Sequence, residues 1–577
     1  MTRAPGALRA SGGHGAALAL VGLADPVARL ALPAVLAGAV DAALADRLDA
    51  AALTPVVIVL VLATACEIGR EILETRSRLR AALVLRRRML RHLFALGLTG
   101  QRRWETGDLL SRTLEATSGA ATTAPVLVGL CASLATSLGG LVALFVIDPR
   151  LGLLFLVGAP VMWWLLRWLL TRVRRATTDY QRLLELLSTR FVDALRGVRT
   201  IRASGTTGRE VERVLAPLPR LRASGHEFWA AQRRAGWQTG LVMPVIQVVV
   251  LAVAGHGVMT GRVTPGELLA VQSYLGRAMG LLSQTAALAR LARARASTER
   301  VRDVLAAPPP PAGDRTLPAG PGSLSLRGVH VSRAGRPVLT GIDMDVPGGA
   351  TVAIVGASGA GKTTLTEVAG GLVPPDAGTV LLDGVPLGAL RRDELRRAVA
   401  YAFEHPRFLG RTVRDALAYA DEPPDGLQRI DAALRDSAAA GIVARMPRGL
   451  RTRLNRLRLS GGELQRLGLA RAAWRDARLV VLDDATSSTD TATEAEINAA
   501  LDRAMAGVTR LIVAHRAATA ARADLVAWID AGTLRALAPH ERLLDDPAYR
   551  AAFRAPAAPS PGAAHGAPAA AGTGRTR

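Results

Sequence analysis

Six apolar stretches, at about residues 16–44, 51–68, 122–147, 151–170, 237–259 and 265–291, narrow the fold of this chain more than any other feature. Each is close to or beyond the ~20 residues that a helix needs to cross the hydrocarbon core of a bilayer. In that core every backbone N–H and C=O must be satisfied, so runs of this length are expected to be helices. All six lie within the first 291 residues of a 577-residue chain, so an all-α membrane domain is expected first and a water-soluble domain after it.

The connections between the stretches alternate in length and charge. The short ones hold single arginines, Arg47, Arg150 and Arg262, whereas the long ones hold eleven (residues 70–112) and fourteen (residues 172–234). Cytoplasmic connections carry the arginine excess, so the long connections and both termini are expected in the cytoplasm. This pattern also accounts for the formal charge of +24; with 4% aromatic residues and no nucleic-acid-binding motif, nucleic acid is not expected as a partner. Leu83, Leu85, Met89, Leu90, Leu93 and Phe94 recur at helical spacing among the arginines, which predicts helices that continue past the membrane. Two cytoplasmic segments, residues 106–112 and 193–201, read by themselves as solvated helical turns.

Polar groups in or near the spans are Asp25 and Arg29, spaced to pair along one helix face, Gln247, His256, Gln272, and Arg277, a candidate to face a central cavity. Arg167 is placed to snorkel beside Trp163, Trp164 and Trp168. Cys66 and Cys131 fall in apolar segments and read as small core residues, not a disulfide. No cleavable signal peptide is expected. The run Pro308 to Pro311 and the Gly/Pro stretch to Gly322 read as a linker, and the Ala/Pro/Gly tail from residue 555 as disordered. The expected organisation is therefore a membrane domain (1–305), a linker (306–322), a soluble domain (323–554) and a tail (555–577).

The chain has one lysine among its 72 basic residues, Lys362, and it closes Gly356-Ala357-Ser358-Gly359-Ala360-Gly361-Lys362-Thr363-Thr364. This is the phosphate-binding P-loop pattern, with an apolar strand (residues 351–355) before it and a helix pattern after it. A compact ammonium fits a nest of backbone amides where a planar guanidinium does not, so an arginine-rich chain retains lysine here. Lys362 is expected at the β- and γ-phosphates of ATP and the Thr363 hydroxyl at Mg²⁺. About 120 residues later, Leu479-Val480-Val481-Leu482 form a second buried-strand pattern that ends in Asp483 and Asp484. Asp483 is placed to hold the Mg²⁺ shell and Asp484 to orient or deprotonate a water. Leu459-Ser460-Gly461-Gly462-Glu463 offers a second phosphate-binding helix start, and Ser487-Ser488-Thr489-Asp490 precedes a strand ending in His515.

In the order and spacing of these motifs the chain resembles the ATP-binding cassette (ABC) transporters, specifically an exporter-type half-transporter with a six-helix domain fused to an α/β P-loop cassette. The resemblance covers about residues 15–550, and Leu32-Pro33 through Asp41 fits the first-helix pattern. It implies that residues 106–112 and 193–201 are coupling helices, that Ser460, Gly461, Gly462 and Glu463 contact a partner subunit's ATP, and that His515 senses its own. Three positions depart from the family. Asp484 stands where a catalytic Glu is usual. Glu404 replaces the Q-loop Gln that ligates Mg²⁺. Arg333 aligns, within one or two residues, with the aromatic that stacks on adenine. Together they imply a site tuned for binding more than turnover, in one subunit of an asymmetric heterodimer. An active homodimeric exporter and an ATP-binding regulatory or assembly subunit are the alternatives. The transported substrate is not legible; lipids, amphiphilic drugs and peptides all remain open.

Overall fold

The computed structural model describes residues 12–553 other than 48, 281–283, 334, 420–425 and 488–490. Ser488, Thr489 and Asp490 and the tail from 555 therefore lie outside the described residues. The chain forms two compact units, Met1–His92 with Thr106–Ala307, and Leu93–Glu105 with Pro308–Arg577.

The first unit is helical: α1 (Gly13–Leu44), α2 (Ala50–Leu96), α3 (Leu98–Arg103, counted with the second unit), α4 (Thr106–Ser111), α5 (Thr123–Ile147), α6 (Pro149–Arg196), α7 (Val198–Ala203), α8 (Leu218–Met259), α9 (Pro265–Met279) and α10 (Gln284–Ala306). Three helical segments, Gly13–Leu44, Ala50–Leu96 and Thr106–Ile147, are by themselves long and apolar enough to cross a membrane. Pro149–Pro160 and Pro244–Met259 are shorter apolar pieces, and described residues of the sixth stretch lie in α9 and at the start of α10. The apolar window of α2 has a mean hydropathy of 2.2, yet none of it is buried inside the unit, which leaves that surface for lipid.

Small residues set the helix contacts, as they do where lipid supplies no hydrophobic drive. A Cβ on Gly266 would lie 2.1 Å from the Ala37 carbonyl oxygen, and one on Gly140 would lie 2.9 Å from that of Tyr274. The start of α9 has a capping box, Thr264 with Glu267, and Pro265 in its first turn. Asp41 accepts from the Thr264 hydroxyl at 2.6 Å and from Gly266 N at 2.7 Å, joining the end of α1 to the start of α9. Asp25 and Arg29 pair at 2.7 Å, and Arg29 also reaches Glu67 at 3.2 Å. Arg167 stacks over Trp163. Arg277 donates to the Ser273 carbonyl at 3.3 Å.

Two expectations are revised, on the cysteines and on residues 93–105. Cys66 and Cys131 are free, but neither is a core residue: Cys66 is half-buried and Cys131 exposed, because each sits on an outward helix face. The stretch 93–105 belongs with the soluble unit, where Leu98 packs on its apolar core. The expected coupling segment at residues 106–112 begins with α4, and ion pairs hold it within the helical unit. Asp108 and Arg112 pair at 2.7 Å, Arg112 reaches Asp303 at 2.7 Å, and Arg300 reaches Asp108 at 3.1 Å. The expected linker is hydrogen-bonded along its length: Gly313 N donates to Leu390 O at 3.1 Å, and Gly322 N to Asp383 at 2.8 Å.

The second unit carries two sheets. β1 (Leu324–Arg333), β2 (Arg336–Val346), β4 (Ala377–Leu382) and β5 (Val385–Pro386) form an antiparallel sheet ordered β2-β1-β4-β5. The other is ordered β10-β9-β3-β8-β7-β6. It comprises β3 (Thr351–Val355), β6 (Val399–Phe403), β7 (Leu479–Asp483), β8 (Thr509–Val513), β9 (Leu525–Asp530) and β10 (Thr533–Ala538). All but β10 run parallel to their neighbours. Every residue of β3 and of β7 is buried, the pattern of central strands covered on both faces.

Candidate active site

The strand order assembles the site. Parallel neighbours β6, β7, β8 and β3 all end on one edge, where open α/β sheets bind ligands. That edge receives Glu404 after β6, Asp483 and Asp484 at the end of β7, His515 after β8 and Gly356 after β3. Phe403 pairs in register with Asp483, so residues distant in sequence arrive at the same height.

The loop from Gly356 to Thr364 turns from β3 into helix α11 (Lys362–Ala369). Gly361 sits at φ 102°, which only glycine adopts without strain, and a Cβ there would lie 3.0 Å from the Val338 carbonyl oxygen. A Cβ on Gly356 would lie 2.2 Å from the Ile529 carbonyl oxygen, so the loop is glycine-rich because backbone occupies the space. Lys362 Nζ donates to the carbonyls of Gly356 (2.9 Å) and Ala357 (3.0 Å) inside the loop. Burial lowers its pKa, while Asp484 and Asp483 act in the opposite direction. A buried ammonium held by neutral carbonyls suits an incoming polyphosphate.

Asp483 is the strained electrostatic centre. Burial pushes its carboxyl up to about 6, aided by Asp484, Glu367 and Glu404, while the Thr363 hydroxyl works the other way. Thr363 Oγ1 lies 3.4 Å from Asp483 Oδ1. One hydroxyl and one carboxylate in a field of further carboxylates form a hard-oxygen donor set, which fits Mg²⁺ completed by phosphate oxygens.

Asp484 has φ 52°, the left-handed region that Asp and Asn enter more readily than longer residues. Its Oδ2 lies 3.0 Å from His515 Nε2. Glu404 is half-exposed and lies 3.6 Å from His405. Gln465, on α12 (Gly461–Ala473), had no role assigned from sequence, yet it ties together the loops after β6 and β7. Its amide Nε2 reaches the carbonyls of Glu404 (3.0 Å) and Asp484 (3.4 Å) and the Ser487 hydroxyl (2.9 Å). A glutamine two residues beyond the Gly-Gly-Glu start was the available signal; its partners come from tertiary packing. Ser460 and Glu463 form a capping box at the start of α12, and Glu463 also pairs with Arg445 at 3.1 Å. Hydrogen bonds from Ser460 hold the Glu463 carboxyl below its usual range. Arg333, expected at the base, is bonded by one edge to Glu367 at 2.6 Å.

A model of the ABC transporter family matches residues 339–487, and one of the ABC transporter transmembrane region matches residues 17–282. The chain is 43% identical over 477 residues to the ABC transporter ATP-binding protein RamA of Streptomyces coelicolor, covering 82% of this chain and 74% of that relative. It is 31% identical over 419 residues to the ATP-dependent lipid A-core flippase of Chromobacterium violaceum, covering 71% of each. Its fold matches that of a bacterial Atm1-family ABC exporter solved with ATP bound. That match has a TM-score of 0.71 and 24% identity, over 96% of this chain and 99% of that one.

Proposed function

The chain belongs to the ABC transporters, as an exporter-type half-transporter in which ATP hydrolysis drives export across a membrane, and on that footing we propose that it is one subunit of an asymmetric heterodimer. The observation that carries the reading is Asp484: a short carboxylate on a left-handed backbone where a longer one is usual. In this reading Gly356 to Thr364 bind the phosphates of ATP, and Lys362 leaves its two loop carbonyls to meet them. Thr363 and Asp483 hold Mg²⁺, which would supply positive charge to the phosphates, with Glu404 at its edge. Asp484 and His515 orient the attacking water. The retracted carboxylate makes this step slow, since loss of a well-placed base costs roughly 10²–10⁴ in rate. The intact start at Ser460, Gly461 and Gly462 serves the partner's ATP.

The long arginine-rich connections, both termini and the cassette are placed in the cytoplasm in this reading, and the substrate is a small or amphiphilic molecule. The relative named as a lipid A-core flippase supports an amphiphilic substrate without fixing which. The 3.0 Å contact of Asp484 with His515 favours a second reading, an active homodimer, because the short side chain still reaches its histidine. Steady-state ATPase of the purified chain in lipid, beside Lys362→Ala, separates them. Background-level activity with retained ATP binding is expected; robust activity that Lys362→Ala abolishes would establish the homodimer and overturn the asymmetric reading.

A further inference from the structure

Glu367 belongs to none of the motifs above, yet two parts of the cassette unit meet on it. Its Oε2 accepts from Arg333 and from Arg102, each at 2.6 Å. Arg333 ends β1, and Glu367 lies on α11, five residues beyond Lys362. Arg102 lies on α3, the short helix that follows α2 directly through Gly97. The carboxylate is sheltered, with 19% of its side chain exposed against 42% for Arg333. A sheltered pair of this kind is screened less than a surface one.

The chemistry of the three groups is specific. A carboxylate oxygen has two lone pairs and can accept from two guanidiniums at once. A guanidinium donates within its own plane and stacks through its faces, so the bond to Glu367 and a stacked base do not compete. A tyrosine needs no brace to act as a stacking plate. A long arginine does, because its free side chain samples many rotamers. We propose that Glu367 is a positioning residue for the nucleotide base: it fixes Arg333 as a stacking plate, and through the same oxygen it links α3 to occupancy of the base site. This rests on the ATP-binding reading above and adds to it a residue that touches neither phosphate nor metal. Arg102 and Arg333 share one acceptor, so ordering Arg333 against a base also orders Arg102.

The test compares Mg²⁺-dependent binding of ATP and of inorganic tripolyphosphate, which has no base, to the full chain in lipid nanodiscs by calorimetry. Glu367→Gln is expected to weaken ATP about tenfold more than it changes tripolyphosphate, the worth of a charge-assisted bond, since the loss of its charge near Asp483 acts on both ligands alike. The retained tripolyphosphate binding shows that the cassette is folded, and Glu367→Asp carries the same comparison if the amide variant does not fold. In an Arg333→Tyr background Glu367→Gln is expected to change ATP affinity less than about twofold more than tripolyphosphate affinity, because the plate no longer needs its brace. Hydrogen exchange of residues 98–103 is expected to slow with ATP, to be unchanged by tripolyphosphate, and to lose its ATP response in Arg102→Ala. Equal weakening of both ligands by Glu367→Gln, or an ATP-specific loss that persists with Arg333→Tyr, would overturn the positioning role. Unchanged exchange with ATP would overturn the link to α3. Failure of the wild type to bind either ligand would sink the nucleotide reading itself, which is a separate outcome.

Discussion

His515 Nε2, just past the end of β8, lies 3.0 Å from Asp484 Oδ2, at the end of the neighbouring parallel strand β7. The contact exists because β7 and β8 are adjacent and both point their carboxyl ends at the P-loop. Asp484 spans the gap from a left-handed backbone conformation.

That geometry makes opposite demands on a longer side chain. Asp484→Glu extends the carboxylate by one methylene but places Glu where φ is 52°, at a cost of about 1 kcal/mol. We expect a small loss of cassette stability together with a rise in ATPase rate. Added to Asp484→Glu, His515→Ala is expected to lower the raised ATPase rate by about 10²-fold, with ATP affinity retained. Parallel ATPase and binding measurements on the three proteins check this, and a rate unaffected by His515→Ala would remove the histidine from the mechanism.

Asp483 sets a pH dependence whose sign is fixed by its raised pKa. In the folded protein burial pushes the group up to about 6, from an ordinary value of 3.8. Between those values the folded protein holds the proton more often than the unfolded one, so this group's contribution falls as pH rises from about 4 to 6. The gap of about two units corresponds to at most roughly 3 kcal/mol. Nucleotide-free protein should therefore gain in unfolding temperature between pH 7 and pH 5 relative to Asp483→Asn, which lacks the titration. Stabilisation by Mg²⁺–ATP should be larger at pH 7 than at pH 5, because the cation needs the carboxylate ionised.

Gln465 holds the loops after β6 and β7 through one amide group. Gln465→Leu keeps the volume and removes the donors, leaving two part-buried carbonyls without this partner, at about 1 kcal/mol. The expected outcome is a lower unfolding temperature and a reduced ATPase rate with ATP affinity little changed. Equal loss of rate and affinity would mean that the P-loop itself had moved.

In the helical unit, Asp41 and Gly266 form one junction. Asp41→Ala removes the acceptor for Thr264 Oγ1 and Gly266 N and should cost about 2 kcal/mol. Gly266→Ala should cost more, because its Cβ meets the Ala37 backbone at 2.1 Å, where no rotamer can relieve the contact. Thermal unfolding in lipid of both variants tests the order.

Local signals reached far in this chain. The P-loop is legible because its glycines, single lysine and flanking strand occupy one stretch of sequence. The buried strands β3 and β7 are legible because both faces are covered and the run is uniformly apolar. The pairing of Asp25 with Arg29 follows from helical spacing alone. The exposure of Cys131 was not legible, because an apolar segment in lipid has an outward face that composition does not mark. Residues 93–105 were assigned to the helical unit because they continue its helix; only the packing of Leu98 on the other unit's core places them elsewhere.

By itself, then, the sequence determined the membrane half, the cassette and the phosphate-binding chemistry, since each is written in residues within one turn or one strand of each other. Tertiary structure alone decided that Gln465 joins the loops after β6 and β7, that Asp484 meets His515 on a left-handed backbone, and that Arg102 and Arg333 share one oxygen of Glu367. Those contacts join residues separated by 19 to 265 positions, and only strand order and helix packing, not local pattern, bring such groups within hydrogen-bonding distance.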